Sequence, residues 1–253
     1  MSKKTIDKRE IGRIAVSAII LGFVFSFRQW GYGQIFELST GLTNWLRLAI
    51  LSAIILIIYQ VVHKSVAKNY GCKSTFTIWG IKRFWFTKRA KIENLRIFGM
   101  KLKSIKIGII LPLLISLFSN GLLKFCAIGS SEISEIKLSR MKRPFKQVTD
   151  FEIAIIHFSG PLAVILVALL LNSFPGFSDL VKISYYIAIF AMLPLAGLDG
   201  TKIFFGSAPL YLFGITFIIF STALLILANS LTALLFGLVA AVVLLLIFLF
   251  KYR

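Results

Sequence analysis

Long apolar runs separated by short polar breaks dominate this chain. Six of them, 11–27, 46–62, 153–174, 183–198, 208–227 and 231–250, read as membrane-crossing helices. A span of a hydrocarbon core of about 30 Å takes roughly 20 apolar residues, because no backbone amide can be left unpaired in lipid. The last two runs are parted only by Ala228, Asn229 and Ser230, so they form an antiparallel pair. A seventh apolar stretch, 105–123, is broken by Pro112 and the Ser119, Asn120, Gly121 cluster, which predicts a re-entrant hairpin. Residues 64–106 alternate Thr, Phe, Ile and Trp with charges, the pattern of short strands or an interfacial hairpin.

Composition supports a membrane reading. Of 253 residues, 58% are hydrophobic and 15% charged, and the mean hydropathy is +0.87, which argues against a water-soluble fold. The fold class expected is an all-α integral membrane protein of six transmembrane helices, a re-entrant hairpin and a short basic, partly β interfacial loop, with 1–253 as one membrane domain. The basic N-terminus precedes the first run with no small-residue cleavage site, so that run reads as a retained helix and not a signal peptide. Cys72 and Cys126 are too few for a disulfide framework.

Charge sets the orientation. There are 29 Lys and Arg against 10 Asp and Glu, a net charge of +19. If 105–123 dips in and returns, 26 of the 29 fall on one side and only Arg28, Arg47 and Lys182 on the other. A full crossing there gives 18 against 11. The positive-inside rule favours the first arrangement, with both termini cytoplasmic, and the Ile, Lys and Phe richness suggests a prokaryotic plasma membrane. Lys82, Arg83, Lys88, Arg89 and Lys91 would then face anionic head groups, or ribosomal RNA at a ribosome or translocon.

Under this topology His63, the segment "HFSGPL" with His157, Gly160 and Pro161, and the segment "LPLAGLDG" with Pro194, Gly197, Asp199 and Gly200 meet at one level near the cytoplasmic side. Ionisable groups at such depth are costly, so His63 and Asp199 are candidate site residues. Pro194 removes an amide donor, and Gly197 and Gly200 permit turns, which makes this stretch non-helical backbone lining a cleft.

The segments "YQVVHKSVAKNYG", "FSGPLAV" and "AMLPLAGLDGTKIF" resemble, in order and spacing, the three signatures of the site-2 protease family of intramembrane zinc metallopeptidases, in their archaeal form. The resemblance spans 46–205 and leaves 11–27, 208–227 and 231–250 as flanking helices. It implies two histidine ligands at Tyr59 and His63, a general-base glutamate at Gln60, an aspartate ligand at Asp199 and a substrate-holding asparagine at Val164. Only His63 and Asp199 keep the required chemistry. A phenol, with a pKa of about 10, replaces an imidazole poorly. The amide of Gln60 cannot take and return a proton, a role worth about 100- to 10,000-fold.

The resemblance therefore implies a catalytically inactive relative that keeps the cleft and binds transmembrane or extended segments of other proteins as scaffold, regulator or chaperone, without a cofactor. Two alternatives stay open. One is an active zinc endopeptidase with a rearranged ligand set of His63, His157 and Asp199. The other is a small-solute channel or transporter, suggested by the broken helices and the acid at depth.

Overall fold

Apolar helices in this chain find partners in antiparallel pairs, and the pairing starts where small residues allow close approach. The computed structural model describes residues 7–32, 35–80, 96–97, 100–101, 106–135 and 148–251. α1 (Lys8–Ser26) and α2 (Leu38–Asn69) pack together. Gly22 sits where any Cβ would press on the Ala49 backbone, so the two helices touch main chain to main chain. A two-residue ladder, β1 (Gly31–Tyr32) with β2 (Ile35–Phe36), lies between them in sequence. At the opposite end of the pair Lys64 Nζ reaches Glu10 Oε2 at 2.6 Å.

α2 has 32 residues, far beyond the run at 46–62. Nothing in the flanking segments breaks the helix until Gly71, which takes a φ of +74° and turns the chain into β3 (Cys72–Ile78). β4 (Arg96–Ile97) and β5 (Met100–Lys101) form a second small ladder. The basic positions Lys82, Arg83, Lys88, Arg89 and Lys91 lie outside the described residues.

The stretch 105–123 folds as α3 (Ile107–Phe118), only 12 residues and about 18 Å long. It runs beside α1 from the level of Trp79, where Gly108 abuts the Ile128 carbonyl, to Gly121, which packs on Phe27 and Arg28 at the C-terminal end of α1. Asn120 (φ +50°) and Gly121 (φ +72°) reverse the chain. It then returns as extended backbone, buried from Cys126 to Ile128, and enters β6 (Gly129–Glu135). The hairpin thus leaves from and comes back to one end of the molecule. Lys124, however, sits at its turn, 5.4 Å from the Phe25 ring centroid, and its charged neighbours include Lys182, Asp179 and Arg28. This corrects the charge tally: Lys124 belongs with Arg28 and Lys182.

Strands do form within 64–106, as β3 and the β4–β5 ladder, but the partner of β3 lies outside that segment. β3 pairs not within 64–106 but antiparallel with β6, with Cys72 opposite Glu135 and Ile78 opposite Gly129. β6 has the sequence GSSEISE, which lacks the apolar alternation that marks a strand. Its buried positions Ser130 and Ser131 are polar because they face polar partners.

α4 (Asp150–Leu171) opens with a capping box, in which Thr149 accepts from the Glu152 amide and Glu152 accepts from that of Thr149. α5 (Ser178–Ala191) is shorter than the run at 183–198 and is displaced toward its start. It stops at Ala191 because Pro194 has no amide to offer and Gly197 adopts a φ of +97°. The expected non-helical stretch is therefore present, and after it α6 (Asp199–Gly206) begins. α7 (Ala208–Leu227) and α8 (Ser230–Lys251) follow as a packed pair, with Gly237 lodged against Ser221.

Among the described residues four helices, α2, α4, α7 and α8, are long and apolar enough to cross a membrane, and the protein is mostly helical. Its core is built from α1, α2, α4, α5 and α7, with Leu21, Ile55, Ile165, Ile183 and Ile218 fully buried. α8 carries its large aliphatic side chains outward, as a lipid-facing helix does. Cys72 and Cys126 are both buried free thiols.

Candidate functional site

Residues four apart share a helix face, so Tyr59 and His63 of α2 lie side by side with tilted rings, their centroids 4.8 Å apart. On α4, His157 and Gly160 form the facing surface. A Cβ at Gly160 would collide with the His63 imidazole and the Tyr59 ring, so glycine is what lets α2 and α4 close at this level. Asp199 is the first residue of α6. Gly200 sits under the Met192 carbonyl, where a side chain has no room, so α6 can start directly below the end of α5. Trp79 holds the intervening loop, donating its indole N–H to the Ala196 carbonyl at 2.8 Å.

These constraints bring the three sequence segments together. His63, His157 and Asp199 are all essentially inaccessible to solvent. The Asp199 carboxylate is engaged through both oxygens: Tyr59 donates its phenolic hydrogen to Oδ2. His157 Nδ1 lies 2.9 Å from Oδ1, and the Ser131 amide donates to the same oxygen at 3.2 Å. Lys202 Nζ stands 3.9 Å from Oδ1 and donates to the Ser131 carbonyl at 2.6 Å. Burial lowers the pKa of the Lys202 ammonium, a pull that Asp199 and Glu132 oppose.

Gln60 points to the sheet. It accepts from the Ser131 hydroxyl at 2.9 Å, and its amide donates to Ser74 Oγ at 3.3 Å. His63 differs from its neighbours: Nε2 is 3.8 Å from Asp199 Oδ2, and neither ring nitrogen has a hydrogen-bond partner. Leaving a buried donor so costs about 1–3 kcal/mol. Val164 is fully buried in the apolar core, one helical turn beyond Gly160. Pro161 is buried too, whereas Pro194 and Gly197 are exposed on the loop.

Would this donor set hold zinc? Tetrahedral coordination needs ligand lone pairs converging on one point at about 2.0–2.2 Å. Here His157 and Asp199 meet each other head-on through a hydrogen bond, and the second carboxylate oxygen is taken by Tyr59. Among the described residues, no group of three or more His, Cys, Asp and Glu is disposed to hold a metal ion. The arrangement does not fit the rearranged ligand set.

Sequence reasoning missed Ser74, Ser131 and Lys202. Lys202 carried a usable signal, a base three residues after the candidate acid on a short helix. Ser131 carried none, since its backbone and not only its hydroxyl does the work. Beside Lys202 a cavity of about 300 Å3, lined by Asp150, Ile153, Thr201, Phe205 and Gly206, opens to the surface. Comparisons with protein-family models, with curated proteins and with solved structures find no match.

Proposed function

We propose that this chain is a catalytically silent, site-2-protease-like membrane protein that holds transmembrane or extended segments of other proteins. The observation that carries the reading is the meeting of its three signature segments. His63 lies 3.8 Å from Asp199, and Gly160 packs directly on the His63 ring, although the three segments are far apart in sequence. In this reading α1, α2, α4, α5, α7 and α8 are six spans, α3 is a re-entrant element, and both termini face the cytoplasm with most of the basic residues.

The chemistry at the meeting point supports silence. Proteolysis by a metal-bound water needs a carboxylate beside it to accept a proton and pass it to the leaving amine. The position that would supply it, Gln60, is an amide locked between Ser74 and Ser131. Segment binding is supported by the loop 192–198 and α6, which leave Leu195, Phe204 and Phe205 exposed beside the polar cluster. Anionic lipid is the partner that suits the basic face.

The test is photo-crosslinking in nanodiscs. A synthetic single-span peptide is offered to full-length protein carrying a photoreactive residue at Leu195 or Phe205. Capture of the intact peptide at these positions, and not at Leu244 on α8, supports the reading. Equal labelling at all three positions rejects it.

A further inference from the structure

In an antiparallel ladder, alternate opposed pairs turn their amides and carbonyls outward, away from each other. Phe76 and Ser131 are such a pair, directly opposite in register. Both are buried, so their four outward backbone groups need partners. All four are met by side chains. On the β3 side the Phe76 amide donates to Glu10 Oε1 at 3.0 Å, and Arg13 donates to the Phe76 carbonyl at 3.0 Å. On the β6 side the Ser131 amide donates to Asp199, and Lys202 donates to the Ser131 carbonyl. In each case an acid and a base three residues apart on a helix supply one acceptor and one donor, the set that a neighbouring strand would offer.

The two caps are built differently. Asp199 is held from two further directions, by Tyr59 and His157. Glu10 is held by Lys64 at 2.6 Å, in the first turn of a helix whose deep core contacts, such as Leu21 and Phe25, lie further along. Gly12, between Glu10 and Arg13, has open space around it. We infer that the first turns of α1, from Lys8 to Arg13, are a releasable clasp on the sheet, in which Glu10 and Arg13 occupy the β3 edge at Phe76 and keep it shut against an added strand. An arriving extended segment brings its own amide and carbonyl, and replaces both side chains at once. This inference rests on the proposed reading only for the identity of what the clasp excludes.

Residue-resolved amide exchange of the full-length chain in nanodiscs tests it. With Glu10→Ala and Arg13→Ala together, the Phe76 amide is expected to exchange at least tenfold faster while the Ser131 amide is unchanged. Glu10→Gln alone keeps an acceptor oxygen and should retain most of the protection. Unchanged exchange at Phe76 overturns the clasp, and so does equal acceleration at Phe76 and Ser131, which means general loosening. A single-span peptide added to the open variant and crosslinked from Ile78 separates the two claims. If Phe76 opens selectively and the peptide is still not captured at Ile78 or Leu195, the clasp stands and the segment-binding reading fails.

Discussion

The Tyr59 hydroxyl donates to the Asp199 carboxylate across 140 residues of chain, joining α2 to α6 inside the bundle. This one bond occupies the oxygen of Asp199 that also faces His63, and it is the reason the cluster closes on itself. Tyr59→Phe should leave that oxygen buried without its donor, at a cost of about 1–3 kcal/mol. Reversible unfolding in bicelles measures the loss, and an effect near zero would show that the bond contributes nothing.

Gly160→Ala should be more disruptive than its chemistry suggests, because the new methyl group meets the His63 ring and Tyr59. Overpacking of this kind typically costs about 1–3 kcal/mol. Gly12→Ala on α1 is the matched control, since nothing lies within 4 Å of the added carbon. It should be neutral or stabilising by up to about 1 kcal/mol. The same unfolding measurement on both variants checks the contrast.

Trp79→Phe removes the indole bond to Ala196 but keeps an aromatic ring over Gly197. The expected loss is about 0.5–1.5 kcal/mol, with a local signature: faster exchange of the Leu198 amide, which closes the loop by donating to Leu195. Exchange confined to other regions would mean that Trp79 does not hold this loop.

Much of the architecture was legible because lipid leaves the backbone few options. The run 208–227 is α7 residue for residue, and the interrupted stretch 105–123 is a short helix that turns and comes back. The polar meeting point was legible as well, since Asp199 and His157, ionisable groups at such depth, had to find partners. What the sequence concealed were features that depend on main-chain geometry. β6 is a strand of serines and glutamates whose pairing is fixed from outside by Asp199, Lys202 and Gln60, so no periodicity marks it. α5 ends early at a turn built from Pro194 and Gly197, which an apolar count cannot see. The side of Lys124 was misjudged because the chain after α3 returns as extended backbone, which sets that residue at the hairpin tip.

If two residues account for the silence, restoring them should restore a ligand set. Tyr59→His with Gln60→Glu frees the Asp199 oxygen and puts imidazoles at positions 59 and 63 on one helix face. The double variant should bind zinc at least about 100-fold more tightly than the unaltered chain, above the range that changes outside the ligand shell command. Competition with a zinc chromophore reads this directly, and equal affinities would mean that the positions have been misassigned.

The central claim is that the cluster around Asp199 holds itself together and does no metal-dependent cutting. The most direct measurement combines zinc content and peptide cleavage on the purified full-length protein, equilibrated with zinc in nanodiscs. The account predicts well under one zinc per chain and an intact single-span peptide. One zinc per chain, with cleavage that a chelator abolishes, would contradict it.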